Sequence, residues 1–280
     1  MTVVVLGATG MLGHVVTLRL RGEGRRVAAQ GRTPTGLPAV DEGLWRCDVS
    51  DRPALASLLA SASPCVVVNC VAARPGSPAG ELKALNTDLP RWLADALEEH
   101  SWGRLIQIST DGVFSHSRGS ATEDDVPDPP DAYGESKLSG EVTRPPHLTI
   151  RTSVIGPEPH GRAGLLEWFR RGEGLVDGFA GVSWNGVTTL EAARLLTGCL
   201  DDGVTGLVHF AGESVTKYEL LARIRRVYGI ARSLRPVDDP RSVRTLASRR
   251  SFAGLPVRPL DLQLEELRRW ESGTAARTAA

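Results

Sequence analysis

The chain carries no net charge: 33 Lys and Arg residues balance 33 Asp and Glu over 280 residues. A neutral chain has no overall field to gather nucleic acid or an anionic membrane surface, so neither is expected as a partner. No apolar run comes near the roughly 20 residues needed to cross a bilayer. Four cysteines, Cys47, Cys65, Cys70 and Cys199, are scattered along the sequence. Their spacing offers neither a disulfide framework nor a metal-ligand pattern, so no metal is expected. Cys65 and Cys70 flank a valine-rich run and read as core thiols. The first apolar segment begins at residue 2, so no leader peptide is expected. A reducing, cytoplasmic setting is the expectation. No internal repeat is present. What remains is a chain 41% hydrophobic, long enough to bury a large core and near the size at which one domain becomes two.

That core starts at once. Thr2 to Leu6 is a short β-branched run that reads as a buried strand. It leads into GATGMLG, after which Leu12, Val15, Val16 and Leu20 recur at helical spacing. Strand, glycine turn and helix form the context a dinucleotide site requires. Gly7 permits the tight turn, Gly10 lets the backbone approach a pyrophosphate, and Gly13 lets the helix lie close to the strand. The helix start offers amide donors to the phosphates.

Val27 to Gln30 reads as the second strand, followed by Gly31 and Arg32. A site for unphosphorylated NAD usually places an acidic residue here for the ribose hydroxyls. None is present, and Arg32 is available for a 2′-phosphate. NADPH is therefore the expected cofactor, with NADH as the alternative. Asp48, in Cys47-Asp48-Val49, follows a short third strand and falls near the adenine or simply caps a turn.

Tyr133 and Lys137 lie four apart in YGESK and so share a helix face. A lysine beside a phenol lowers its pKa from about 10, which equips a tyrosine for general acid or base work on a carbonyl or alcohol. Ser109-Thr110-Asp111 follows the apolar run Leu105 to Ile108. Ligands of a parallel sheet meet the carboxyl ends of its strands. A hydroxyl there can stabilise charge developing on a substrate oxygen.

Strands and helices continue to alternate. Cys65 to Val71, His147 to Arg151 and Leu207 to Phe210 read as further strands. Trp92, Leu93, Ala96 and Leu97 mark the apolar face of a helix. Ser115 to Asp131, rich in Asp and Pro, reads as a loop over the site. Past Gly156 the pattern breaks up: a short helix over Leu165 to Arg171, capping boxes at Thr188/Glu191 and Thr216/Glu219, and a last helix over Leu262 to Trp270, with a fraying tail from Ser272. The fold class predicted is α/β: a doubly wound parallel sheet, Rossmann and NAD(P)-binding, with a smaller mixed substrate-binding lobe. Residues 1–155, completed by roughly 182–210, form the dinucleotide-binding domain, and 156–181 with 211–280 form the lobe.

The pieces GATGMLG, VVVNCVA, LNTDLP, STDGVF, YGESKLSGE, IRTSVIG and KYELL span nearly the whole chain. Together they resemble the extended short-chain dehydrogenase/reductases, and within them the dTDP-4-dehydrorhamnose reductase family. The resemblance implies an NADPH-dependent reductase of a nucleotide-linked 4-keto-6-deoxy sugar. Tyr133 would protonate the keto oxygen, Lys137 would hold the nicotinamide ribose and lower the tyrosine pKa, and Thr110 would bond the carbonyl. Cofactor contacts would come from Gly7, Thr9, Gly10, Met11, Leu12, Arg32, Asp48, Val49, Cys70, Ala72, Asn86, Ser109, Tyr133 and Lys137. Asn86 would serve a proton relay or hold the local backbone. Asp111 would lie near the sugar or serve the structure; Arg151 and Trp184 are further candidates for the sugar nucleotide, with lobe packing the alternative for the tryptophan. Dehydratases of the same superfamily carry Asp-Glu after the threonine, whereas Asp111-Gly112 stands here. Gly112 also replaces an aromatic common in the reductases, which leaves the sugar pocket shaped differently. The alternatives are another nucleotide-sugar enzyme, such as an epimerase, and a non-catalytic NADP-binding subunit like the regulatory subunit of methionine adenosyltransferase. A homodimer is left open.

Residues 231–260 hold seven arginines against two aspartates. Arg241, Arg244, Arg249 and Arg250 are candidates for the substrate phosphates. Trp168 and Trp184 are candidates for stacking, while His14, His116 and His160 read as surface residues.

Overall fold

The computed structural model describes residues 1–160, 164–250 and 255–279, with side chains to Thr274 in the last segment. Seven strands form one parallel sheet: β1 (Thr2–Leu6), β2 (Val27–Gly31), β3 (Trp45–Arg46), β4 (Cys65–Asn69), β5 (Gly103–Thr110), β6 (Leu148–Thr152) and β7 (Gly206–Phe210). Their order is β7-β6-β5-β4-β1-β2-β3. The chain winds one way from β1 to β3 and the other way from β4 to β7. The switch falls between β1 and β4, where a doubly wound sheet opens a crevice.

Alternation of side chains explains why β1 and β4 are apolar throughout. Val3, Val5, Val66 and Val68 point to one face, with Val15 and Val16 of α1 (Met11–Gly22). Val4, Leu6 and Val67 point to the other, where α2 (Arg52–Ala62) brings Leu55 and Leu59, and α3 (Leu89–Glu99) brings Leu93 and Leu97. A strand covered on both faces has no polar side to show. The predicted α/β, doubly wound sheet is the fold found.

Between Ala132 and Ser139 lies α4, whose start is capped by Asp131: its carboxylate accepts the Gly134 N–H at 2.8 Å. A second apolar core gathers Leu166 and Phe169 of α5 (Leu165–Arg171), Leu220 and Ile224 of α7 (Lys217–Tyr228), and Leu264 and Leu267 of α8 (Leu260–Ala279), whereas Leu195 of α6 (Thr189–Asp201) belongs to the first core. Around it run short pairs, Leu175–Phe179 with Ser233–Val237 and Ser183–Trp184 with Val215–Thr216.

Thr216 and Glu219 complete the predicted capping box. At Thr188 only half forms: the threonine accepts the Glu191 N–H, but the Glu191 carboxylate is drawn to Arg194 at 2.6 Å. The last helix does not end at Trp270 but runs to Ala279, since no proline interrupts it. Among the described residues no helix is long and apolar enough to cross a membrane.

Candidate active site

Gly7 ends β1 with φ at +71°, a left-handed turn that a side chain would strain. A methyl group at Gly13 would overlap the Gly7 carbonyl oxygen, so the missing side chain lets α1 pack onto the strand end. Gly10 differs, because a methyl group there would meet only that same oxygen, at 3.4 Å. Its outer side faces the crevice. No side chain caps the start of α1, which leaves its first amides available to an anion.

Two adjoining cavities make up the crevice. One, of about 750 Å³, runs from Gly7, Thr9 and Gly10 past Arg32, Asp48 and Val49. The other, of about 630 Å³, runs from Gly10, Met11 and Leu12 to Ser109, Thr110, Tyr133 and Lys137. Both include Cys70 and Ala72. Apart from Asn86, the residues that sequence assigned to cofactor and catalysis thus meet along one trough, and each cavity falls in the size range of a small-molecule site.

At the end of the trough beside β2, Arg32 is 78% exposed and 3.6 Å from Asp48, a loose surface pair. The Ser50 N–H holds the Asp48 carboxyl below its ordinary pKa. Gln30, which the sequence reading passed over, is buried. It accepts the Gly7 N–H at 3.0 Å and donates to the Cys47 carbonyl at 2.7 Å, locking the turn to its neighbouring strands.

At the other end, the Thr110 hydroxyl donates to Asp111 at 3.1 Å and accepts the Gly112 N–H at 3.0 Å. Lys137 is 4% exposed and donates to the Ile108 carbonyl at 2.6 Å. Burial lowers its pKa to about 8, against upward pulls from Glu141 and Cys70. Burial pushes the Cys70 thiol up to about 12, which leaves it an unreactive wall. Tyr133 departs from expectation. Burial raises its pKa; Thr110 pulls it down, Asp111 and Asp131 push it up, and Arg244 pulls it down again. The net direction is upward, and Lys137 is not among these leading influences. The phenol is a protonated acid, not a group drawn toward neutrality.

Three sequence candidates sit elsewhere. Arg151 is buried beneath the sheet end in a two-pronged pair with Glu141, at 2.8 and 2.7 Å, and Ser109 donates to the same carboxylate. Such a guanidinium has no face left for substrate. Trp184 packs in the second core and donates its indole N–H to Ser153 at 2.8 Å, so it does not stack on a ligand. Asn86 lines neither cavity: its amide accepts the Ala73 N–H at 2.9 Å and donates to Ser136 at 3.0 Å. It ties the loop after β4 to α4, the backbone-holding role. Asp111 does sit beside Tyr133, paired with Arg244 at 3.5 Å. Arg241, Arg249 and Arg250 are exposed, and Arg232 covers the Trp168 ring at 5.1 Å. His14 is a correction. It is buried against Trp270 and bonded to the Gly10 carbonyl at 2.8 Å, with its pKa lowered to about 4.

Arg74 and Glu158 were missed. Arg74 pairs with the buried Glu158 at 3.2 Å, and both stand where the glycine turn meets the second cavity. His160, read as a surface residue, rims the first cavity. They come from loops far apart in sequence, so no local pattern announces them.

Residues 1–169 match the family described as RmlD substrate binding domain. The chain is 30% identical over 241 residues to the probable low-salt glycan biosynthesis reductase Agl14 of Haloferax volcanii, covering 80% of this chain and 79% of that one. It is 27% identical over 266 residues to methionine adenosyltransferase 2 subunit beta of Rattus norvegicus, covering 85% of this chain and 75% of that one. The structure of dTDP-4-dehydrorhamnose reductase from Bacillus anthracis in complex with NADP has the same fold, with a TM-score of 0.75 at 17% identity over 96% of this chain and 99% of that one.

Proposed function

The chain belongs to the RmlD substrate binding domain family, and from that premise we propose that it is an NADPH-dependent reductase of a nucleotide-linked 4-keto-6-deoxy sugar. One observation carries the reading: Thr110, Tyr133 and Lys137 line the same cavity as Gly10 and Met11 of the open glycine turn. The reductase named among the relatives and the NADP complex among the solved structures support it. In this reading residues 1–155 and 182–210 hold the coenzyme, while 156–181 and 211–280 form the lobe that meets the sugar nucleotide.

The residues fit a dinucleotide. The uncapped start of α1 and the bare Gly10 suit a pyrophosphate, and the exposed Arg32 suits a 2′-phosphate. NADPH, when bound, supplies the hydride for the keto carbon. Tyr133 gives its phenolic proton to the keto oxygen, so the carbonyl becomes an alcohol. Its raised pKa keeps that proton in place at neutral pH, as reduction requires. Thr110 orients the same oxygen through its hydroxyl. Lys137, fixed by the Ile108 carbonyl, brings a positive charge to the floor of the cavity.

Incubation with dTDP-4-keto-6-deoxyglucose and NADPH, followed at the NADPH absorbance, tests the proposal. Consumption with formation of the alcohol supports it. Interconversion of sugar nucleotides without net NADPH use points to an epimerase. Binding of NADPH without turnover across a panel of keto-sugar nucleotides points to a non-catalytic subunit.

A further inference from the structure

The glycine turn that offers its amides to an anion has a carboxylate beside it. Glu158 follows the short strand Val154–Ile155, and its side chain is 4% exposed. With Thr9, Gly10, Met11 and Arg74 it lines a small cavity of about 350 Å³ that shares walls with both parts of the trough. One carboxylate oxygen accepts the Gly164 N–H at 3.1 Å. Gly164 in turn lies against Met11: a methyl group at Gly164 would come 3.0 Å from the end of the Met11 side chain and 3.1 Å from the Glu158 carboxyl carbon. The carboxylate is thereby fixed beside the start of α1.

Its cation is held less firmly. Arg74 comes from the loop after β4, its side chain is 66% exposed, and a single N–H of its guanidinium reaches the other Glu158 oxygen, at 3.2 Å. That is longer than the roughly 2.7–2.9 Å of a tight charge-assisted bond, and the remaining donors of the fork are unused among the described residues. Gly10 and Arg74 both line all three cavities, so the ion pair stands where the two parts of the trough meet. A ligand long enough to fill both parts passes this point. For a dinucleotide, the group that passes is the pyrophosphate, since Gly10 is where the backbone leaves room for it. There the anion meets a fixed carboxylate of its own sign and a guanidinium which that carboxylate already engages. Like charges in a confined site repel more strongly than they do in water.

We propose that Glu158 is a brake on coenzyme entry: it holds Arg74 across the trough in the free protein, and an incoming pyrophosphate competes with it for the guanidinium. This rests on the dinucleotide reading of the crevice given above and adds to it a residue that opposes binding. The sign of its effect is the distinguishing feature. A residue that only supports the fold or aligns the arginine weakens binding when it is changed, whereas removing the charge of a brake strengthens it.

Stopped-flow fluorescence of NADPH binding to the wild type, Glu158→Gln, Glu158→Ala and Arg74→Met tests the proposal, with urea midpoints showing that each variant folds. Glutamine keeps an oxygen for the Gly164 N–H, so the turn beside Met11 is retained; Glu158→Ala gives a second reading of the same sign. In Glu158→Gln both the association rate and the affinity should rise, by roughly tenfold, the scale of one hydrogen bond to a charged group. Arg74→Met should lower affinity by a similar factor, because the contested cation is gone and the carboxylate stands unmatched. Unaltered binding in the folded Glu158 variants overturns the brake. Slower or weaker binding in them also overturns it and makes Glu158 a support for Arg74. Wild-type affinity in Arg74→Met overturns it as well, since nothing is then contested. The two claims part in the wild type. NADPH binding there, with rates that Glu158→Gln leaves unchanged, sinks the brake and spares the reductase reading. Failure of the wild type and all three variants to bind NADPH or NADH sinks the coenzyme reading and the brake with it.

Discussion

The Lys137 ammonium donates a hydrogen bond to the carbonyl oxygen of Ile108 at 2.6 Å, two residues before Thr110 on the same strand. The bond clamps α4 to the sheet end, so the lysine and the threonine hold a fixed relation on the cavity wall. The cost is a buried cation whose pKa falls to about 8. If the protonated lysine is the working form, kcat/KM for reduction should be flat near neutrality and fall above about pH 8, by up to tenfold per pH unit. Tyr133, raised above its ordinary value, stays protonated through that range and does not set the limb. Lys137→Arg should push the fall to higher pH. A profile that stays flat beyond pH 9 contradicts this assignment.

The glycines of the turn should separate stability from binding. Gly13→Ala drives a methyl group into the Gly7 carbonyl and should cost at least about 1–3 kcal/mol of stability, seen as a lower midpoint in urea. Gly10→Ala meets only a 3.4 Å contact and should fold normally. Its methyl group enters the crevice, however, and NADPH affinity should fall by roughly tenfold or more. Equal midpoints for the two variants, or unaltered NADPH affinity in Gly10→Ala, would count against this geometry.

Arg32 is free to turn toward a 2′-phosphate because its pair with Asp48 is long and exposed. Arg32→Ala should weaken NADPH by roughly 10-fold, as loss of a charge-assisted bond implies, while leaving NADH within about twofold. Parallel fluorescence titrations with the two nucleotides check it. Equal losses for both would remove the arginine from phosphate recognition.

Arg151 carries an opposite expectation. Its guanidinium and the Glu141 carboxylate are 4% and 6% exposed. Breaking such a pair leaves an unmatched buried charge, which costs about 3–5 kcal/mol. Arg151→Met should lower stability by that order, and adding Glu141→Leu should recover much of it. Chemical denaturation of the single and double variants measures both. A stable Arg151→Met with a raised KM would instead return the arginine to the substrate.

The alternating strands and the glycine turn were legible because each is a local pattern. A buried strand must be apolar, and a tight turn into a helix must be glycine. Tyr133 and Lys137 were legible as neighbours for the same reason, since four residues is one helical turn. The phenol's acidity was not, because burial is set by what packs over α4 and not by residues within it. Arg151 shows the same limit. Strand pairing places it opposite Ser109, beside a glutamate ten residues back in sequence, and a strand's own residues do not name their partners. Arg74 and Glu158 reach the site from separate loops, where only the fold brings them together.

Tyr133→Phe is the most direct test, because it removes one oxygen and the transferable proton while keeping the ring. With NADPH affinity held within about threefold, reduction should fall by roughly 100-fold or more, the scale of a lost general acid. A variant that binds NADPH normally and reduces the keto-sugar nucleotide at the wild-type rate would contradict the account.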